Sequence, residues 1–383
     1  MSAVDAKSRL VSLDAFRGAA IAAMILVNNP GSYVEVYDQL EHAEWNGWTF
    51  ADCIFPAFLW IVGVAITLSF ANRAEYGSDR GQLLLHVLRR SMIIFALGIC
   101  LTGFPFGLFL DPHFSFDNLR IPGVLQRIAI CYLLTAMIFF TTRVRGQILW
   151  TVGLLAFYWV LVRWVYVPGY GEGVLEPEGN LCWYVDYLVL KTHTWRGAMV
   201  EGFDPEGIVS TIPALATTLF GVLAGHWLRT PRSGEMKTLG LLGSAIGLLA
   251  IGSIMNIWLP INKNMWTSSY AVFMAGVSTF CLAAFYWLMD VKGYKRWASP
   301  FAIFGMNALA IYVLSGLIAR LLFLIGWPQP DGSFLEVREY LFQTLFECWA
   351  KEDNASFVYA ITHVLAMFAV AWVLWKKRVF IRL

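Results

Sequence analysis

Long apolar runs separated by short polar segments recur along the whole chain. A helix needs about 20 mostly apolar residues to cross a bilayer core about 30 Å thick. Ten runs qualify: 10–29, 48–70, 86–106, 123–141, 147–167, 207–228, 238–259, 267–289, 300–325 and 356–375. The runs are too long, and alternate too little, for barrel strands. The segment FLEVREYLFQTLFECWA (334–350) is amphipathic and reads as an interfacial helix, with a short eleventh span as the alternative. The opening MSAVDAKSRL shows no cleavable signal pattern, so the first run is expected to serve as an uncleaved anchor. The pattern therefore predicts an all-α fold: a polytopic membrane helix bundle of about ten spans, with residues 1–383 as one transmembrane domain.

Composition supports this picture. Hydrophobic residues make up 58% of the 383 and charged residues 14%, with a mean hydropathy of +0.61. A soluble domain carries roughly 25% charged residues, which argues against a cytosolic enzyme and against a nucleic-acid binder. Disorder is excluded because it requires low hydrophobicity. Six cysteines are too sparse for a disulfide scaffold. Cys53, Cys100, Cys131 and Cys281 lie in apolar runs and read as packing residues, while Cys182 and Cys348 fall in outer segments and are candidates for pairing.

Charge is distributed by side. With ten spans and the N-terminus inside, the inner segments hold 18 Lys and Arg against five Asp and Glu, while the outer segments hold nine Lys and Arg against 20 Asp and Glu. The positive-inside rule then puts both termini in the cytoplasm. The outer connections, about 30–47, 107–122, 168–206 and 326–355, are the long ones. Long connections tend to carry function, so the outer face is the expected place for chemistry.

Several residues there bear reactive or polar groups. Asn28 and Asn29 end the first run. His42 lies in the following loop, flanked by Trp45 and Trp48, and an imidazole can exchange a proton near neutral pH. Asp52 falls in the first turn of the second run, where it either orients His42 or satisfies the helix N-terminus. Gln126 and Arg127 sit at the outer end of the fourth run. FDPEG reads as a helix start, with Asp204 as N-cap, Pro205 at the first helical position and Glu206 in the first turn. Asn262, Lys263, Asn264 and Trp266 form a tight outer turn that either grips sugar hydroxyls or is an ordinary solvated loop. Asn307, inside the ninth run, either glues helices together or lines a cavity.

Near the inner face, Asp14 and Arg17 are three apart and share a helix face. They form either a structural ion pair or the mouth of a ligand channel. Arg89, Arg90, Arg229, Lys237, Lys292, Lys295 and Arg296 are basic groups that either hold nucleotide phosphates or follow the topology rule and touch anionic lipid. No Walker loop, GxSxG elbow or HExxH motif is present, and no spacing fits a metal site.

Seven motifs occur in order: SLDAFRG (12–18), VNN (27–29), HAEWNGWTFADCIFP (42–56), RIPGVLQR (120–127), DPEG (204–207), INKNMWT (261–267) and GMNAL (305–309). Through them the chain resembles the heparan-α-glucosaminide N-acetyltransferase family and its bacterial NagX-type relatives, over nearly its full length. The resemblance implies a transmembrane acyltransferase of a bacterial inner membrane. It would move an acetyl group from cytosolic acetyl-CoA to the amine of a glucosamine-type sugar on the far side. By position, His42 resembles the family's active-site histidine, as general base or transient acetyl carrier, and Asn28 its catalytic asparagine. The expected acceptor contacts are Asp52, Arg127, Asn262, Lys263, Asn264 and Trp266. Asp14, Arg17, Arg89, Arg90 and Arg296 would line the acetyl-CoA side, and a homodimer is an assembly the resemblance allows. Two departures from the lysosomal members are expected: no counterpart of their N-terminal luminal domain and extra span, and NNPGSY in place of a glycine-rich run. The competing readings are an amino-sugar permease without acyl transfer and a non-catalytic membrane subunit.

Overall fold

The computed structural model describes residues 10–75, 80–107, 115–350 and 352–381. Lys7, Arg9 and Arg382, which enter the expectation for the two chain ends, lie outside the described residues, as do 108–114 of the second outer connection. The helices are α1 (Val11–Asn28), α2 (Phe50–Glu75), α3 (Arg80–Gly103), α4 (Val124–Thr141), α5 (Val144–Trp164), α6 (Leu181–Leu190), α7 (Thr211–Arg229), α8 (Gly234–Met255), α9 (Ser268–Tyr286), α10 (Ser299–Met306), α11 (Ala308–Leu324), α12 (Val337–Phe342) and α13 (Glu352–Lys376). Among the described residues, nine helices are long and apolar enough to cross a membrane, or ten if the bent pair α10 and α11 is counted as one span. This is the predicted all-α bundle.

The helices group into two compact units. One comprises Met1–His42, Arg232–Leu242 and Phe280–Arg382; the other comprises Ala43–Pro231 and Gly243–Thr279. Lipid tails are as apolar as leucine, so helices in a membrane gain little by hiding apolar side chains from them. They pack instead by close approach at small residues. Each unit shows this in reciprocal form. In the first, a Cβ on Gly18 of α1 would lie 1.7 Å from the Phe301 carbonyl oxygen, and one on Gly305 of α10 would lie 2.0 Å from the Asp14 carbonyl oxygen. In the second, Gly63 of α2 meets the Thr218 carbonyl oxygen and Gly221 of α7 meets that of Trp60, each at 1.9 Å from an added Cβ. Gly252 of α8 and Gly276 of α9 face Phe273 and Leu249 in the same manner.

Three expectations are revised. The ninth run is not one helix, because α10 and α11 meet at 82° across Asn307. The Asn307 amide makes the break tolerable. Its Nδ2 donates to the Val379 carbonyl at 3.1 Å, and its Oδ1 accepts the Ile381 N–H at 2.9 Å, so it glues the C-terminal segment to the bend. The segment 334–350 is not helical from its start. Phe334–Glu336 pairs antiparallel with Gly326–Pro328 across a turn containing Asp331 and Gly332, and α12 begins only at Val337. Asp204 does not cap a helix, since α7 starts at Thr211. The carboxylate instead accepts the Glu206 N–H at 2.9 Å within a turn.

The cysteines also differ from expectation. All six are free thiols, so Cys182 and Cys348 are not paired. Cys182 is buried with its sulfur 3.6 Å from the Tyr158 hydroxyl, and Cys100 is exposed rather than packed.

The glycine crossings yield a stability prediction. Gly63→Ala or Gly221→Ala forces a methyl against backbone, and overpacking costs about 1–3 kcal/mol or more. Both variants should melt several degrees below the wild type in detergent. Gly153→Ala and Gly247→Ala, where an added Cβ meets nothing within 4 Å, should melt with the wild type or slightly above it.

Candidate active site

In the first unit the VNN motif ends α1 by a defined device. Asn29 is the C-cap, and its Nδ2 donates back to the Ile25 carbonyl at 2.7 Å, satisfying one of the orphan carbonyls of the last turn. Asn28 stands beside it, exposed. The loop that follows is pinned at its start. The Ser32 N–H donates to Ser356 Oγ at 3.1 Å, that hydroxyl donates to the Ser32 carbonyl at 3.1 Å, and Arg338 Nη1 donates to the Gly31 carbonyl at 2.9 Å. Tyr37 then donates to Asn354 Oδ1 at 2.9 Å. A cleft lined by Leu26, Val27, Val36, Leu40, Phe357 and Ala360 lies among these segments, so it borders the chain on either side of Asn28 and approaches His42 in sequence. His42 is exposed and closes this unit.

Near the other end of α1, Arg17 Nη1 donates to Asp14 Oδ1 at 3.2 Å, and Asp290 Oδ2 accepts the Ser12 N–H at 3.3 Å. Asp14 and Arg17 thus form the pair that their spacing suggests. Arg296 is exposed in the same unit.

In the second unit Asp52 is fully buried at the start of α2. One carboxylate oxygen accepts the Thr49 N–H at 3.0 Å, the Thr49 hydroxyl at 3.2 Å and the Ala43 N–H at 3.1 Å. The contact with Thr49 N–H is the backward-reaching half of a capping box. The other oxygen faces Lys263 Nζ at 3.2 Å. Asp52 therefore does satisfy the helix N-terminus, and it also fixes the residue that follows His42. Burial drives the Lys263 ammonium below its ordinary pKa against the opposing pull of Asp52 and Glu206.

The turn that carries Lys263 is committed to internal partners. Asn262 Oδ1 accepts the Met265 N–H at 2.8 Å, and its Nδ2 donates to Asn46 Oδ1 at 3.3 Å. Asn264 Nδ2 donates to the Glu44 carbonyl at 3.1 Å. Trp266, at a positive φ of 50°, donates from Nε1 to Thr217 Oγ1 at 3.1 Å. Its ring packs edge-on against Phe55 and Tyr270 and lies 5.1 Å below the Arg127 guanidinium.

Arg127 is 1% exposed. Its Nη2 donates to the Gly207 carbonyl at 3.1 Å and to Ser210 Oγ, while Nε and Nη1 have no hydrogen-bond partner. Beside it sits an ion cluster that sequence reasoning missed. Arg120 donates from Nε to Asp204 Oδ2 at 2.8 Å and from Nη2 to Asp204 Oδ1 at 2.7 Å, and it also pairs with Glu206. Burial raises the Glu206 pKa, but the charges of Arg120, Arg127 and Lys263 outweigh it and hold the carboxyl below its ordinary value. The available signal was the pair of acids in DPEG facing the unassigned first arginine of RIPGVLQR. Arg89 and Arg90 are exposed on α3, and the Arg90 guanidinium lies 5.1 Å over the Tyr132 ring.

Asp186 on α6 completes this cluster. Its Oδ1 accepts the Ile208 N–H at 2.9 Å, and its Oδ2 has no hydrogen-bond partner. Burial pushes the carboxyl up to about 7. Folding therefore favours the protonated acid, and the native chain binds the extra proton between about pH 4 and about pH 7. This group's contribution to stability is greatest below that window and falls as pH rises through it. Between about pH 5 and about pH 8 the wild type should lose more thermal stability in detergent than Asp186→Asn, whose side chain does not titrate.

Comparison with known proteins places these residues in context. Residues 9–258 match the family described as heparan-alpha-glucosaminide N-acetyltransferase, catalytic. The chain is 27% identical to the heparan-alpha-glucosaminide N-acetyltransferase of Mus musculus over 427 aligned positions, which cover 97% of this chain and 60% of the mouse protein. It is 28% identical to the Homo sapiens protein of that name over 431 positions, covering 97% and 59%. The chain thus spans about three-fifths of the length of these curated relatives. The family match takes in SLDAFRG, Asn28, His42, Asp52, Arg127 and the Arg120 ion cluster, and on that evidence the chain belongs to the heparan-alpha-glucosaminide N-acetyltransferase catalytic family.

Proposed function

We propose that this protein is a transmembrane N-acetyltransferase. It takes the acetyl group of cytosolic acetyl-CoA and transfers it to the amine of a glucosamine-type sugar on the extracytoplasmic side of a bacterial plasma membrane. Both termini face the cytoplasm. The observation that carries this reading is the family match over residues 9–258, which contains both Asn28 and His42.

The chemistry is an acyl exchange. The sugar amine attacks the thioester carbonyl, a C–N bond forms, the C–S bond breaks, and the proton lost by the amine ends on the CoA thiol. His42 accepts that proton and returns it to the departing thiolate; in the ping-pong variant its ring carries the acetyl group between the two substrates. The Asn28 amide donates a hydrogen bond to the oxyanion of the tetrahedral intermediate, a contact whose loss costs on the order of 3 kcal/mol of barrier. On the donor side, Asp14, Arg17, Arg89, Arg90 and Arg296 supply the charged groups for the CoA moiety; exposed arginines pair readily with phosphate oxygens. The unspent guanidinium nitrogens of Arg127 support an acceptor-side role for that residue.

Labelled acetyl-CoA, glucosamine and purified protein in nanodiscs test the reading. His42→Ala should lower the acetylation rate by about 10²–10⁴-fold while CoA binding persists. Asn28→Ala should lower it by about 10²-fold. Wild-type rates in His42→Ala would remove the histidine from the mechanism. Uptake of unmodified glucosamine into proteoliposomes without acetyl-CoA, and no acetylated product with it, would overturn the enzyme in favour of a permease.

A further inference from the structure

Three consecutive residues of the Asn262–Asn264 turn, with Ile261 before them, reach toward one short segment, Ala43–Asp52, in the second unit. The Ile261 carbonyl accepts the Gly47 N–H at 2.8 Å. Asn262 Nδ2 meets Asn46 Oδ1 at 3.3 Å, and Asn264 Nδ2 meets the Glu44 carbonyl at 3.1 Å. The pairs 47–261, 46–262 and 44–264 run in antiparallel order at constant register, so the two segments lie side by side over their whole length. Between them Lys263 reaches Asp52, whose opposite oxygen holds the Ala43 N–H. Ala43 is the residue bonded to His42.

We propose that this turn is a clasp that fixes the backbone on the C-terminal side of His42, which makes Lys263 and Asn264 positioning residues for acetyl transfer. The inference rests on the acetyltransferase reading above. It replaces the expected sugar grip for these residues. Asn262 is buried with its amide engaged at both ends, half-buried Asn264 donates to the Glu44 carbonyl, and Lys263 pairs with Asp52.

The choice of residues follows from what each position must supply. A buried ion pair gains little net stability over an apolar pair of the same volume, but it tolerates few geometries. Asp52 is 0% exposed at its side chain and Lys263 14%, so the pair specifies one arrangement of α2 against the turn. The Asp52 carboxylate then transmits that arrangement to Thr49 and Ala43 through their N–H groups. A neutral contact in its place could slide; two hydrogen-bonded charges cannot do so without exposing one of them. Acyl transfer needs this fixity, because displacement of a reacting group by about 1 Å can cost about 10²-fold in rate.

The test uses full-length protein in nanodiscs with three variants: Lys263→Met, Lys263→Arg and Asn264→Ala. Hydrogen–deuterium exchange is followed over 43–49 and over a distant peptide in 211–229, alongside steady-state kinetics with acetyl-CoA and glucosamine. In Lys263→Met and Asn264→Ala, exchange over 43–49 should rise while 211–229 stays protected. kcat should fall about 10–100-fold, with KM for acetyl-CoA unchanged. Lys263→Arg should recover most of kcat, since it restores the charge.

A kcat at the wild-type level in both variants, or unaltered exchange over 43–49, would overturn the clasp. So would a raised KM for glucosamine with kcat retained, because that result assigns these residues to the sugar. If Lys263→Met does not fold, the milder Asn264→Ala decides the matter alone. A wild-type protein that acetylates nothing overturns the proposed activity itself, an outcome distinct from an active wild type with indifferent variants.

Discussion

Backbone contact between helices is the constraint on which this fold depends. Within a bilayer, apolar side chains gain little by turning from lipid toward one another, so association relies on dispersion contacts and interhelical hydrogen bonds. Glycine maximises the first by letting two helices touch at their main chains. Gly18 against Phe301 and Gly305 against Asp14 form one such seam; Gly63 against Thr218 and Gly221 against Trp60 form another. Reciprocity matters here. Each helix presents a glycine where its partner's carbonyl arrives, which fixes rotation and height together. The terminal glycine of SLDAFRG and the glycine of GMNAL are thus two halves of one contact, and both motifs have a packing reason.

Polar groups add what glycine contact cannot supply, namely specificity of direction. The second unit buries Asp52, Arg127 and Asp204 almost completely, with Lys263 and Glu206 little more exposed. Isolated charges at such depth are prohibitive, so they occur as matched sets. Arg120 serves two carboxylates, and Lys263 serves one. Arg127 departs from this rule, since two of its guanidinium nitrogens lack a hydrogen-bond partner and the Trp266 ring covers its face. A cation over an aromatic face is held electrostatically without directional bonds. That leaves Nε and Nη1 without a directional bond, while Nη2 is spent on Gly207 and Ser210.

Much of this was legible in the sequence. The run lengths gave nearly every span, because the twenty-residue requirement is set by the membrane and not by neighbouring helices. What escaped was decided by single side chains. Asn307 splits the ninth run because its amide binds the chain near Val379 and Ile381, a contact 72 to 74 residues away in sequence. The hairpin at Gly326–Glu336 was signalled by the Asp331–Gly332 turn pair, but its second strand, Phe334–Glu336, opens the segment whose amphipathic spacing suggested helix. DPEG carried every mark of a helix start, yet Arg120 recruited its acids into an ion cluster, and tertiary charge pairing overrode the local capping preference. Asn262–Asn264 read in sequence as polar residues of an outer turn, and the structure adds the protein partners of their side chains. Amide and ammonium groups look the same in sequence whether their partner is a ligand or the backbone of a neighbouring loop.

The loop that carries His42 is held through its main chain. At the start of the same loop, Ser356 and Arg338 bind the backbone at Gly31 and Ser32; just past the histidine, Asp52 binds the backbone at Ala43. In both places hydrogen bonds to main-chain groups do the holding, so side-chain identity between them can vary without loss of the anchor points. A loop secured in this way has its two ends constrained by partners in α12, α13 and α2.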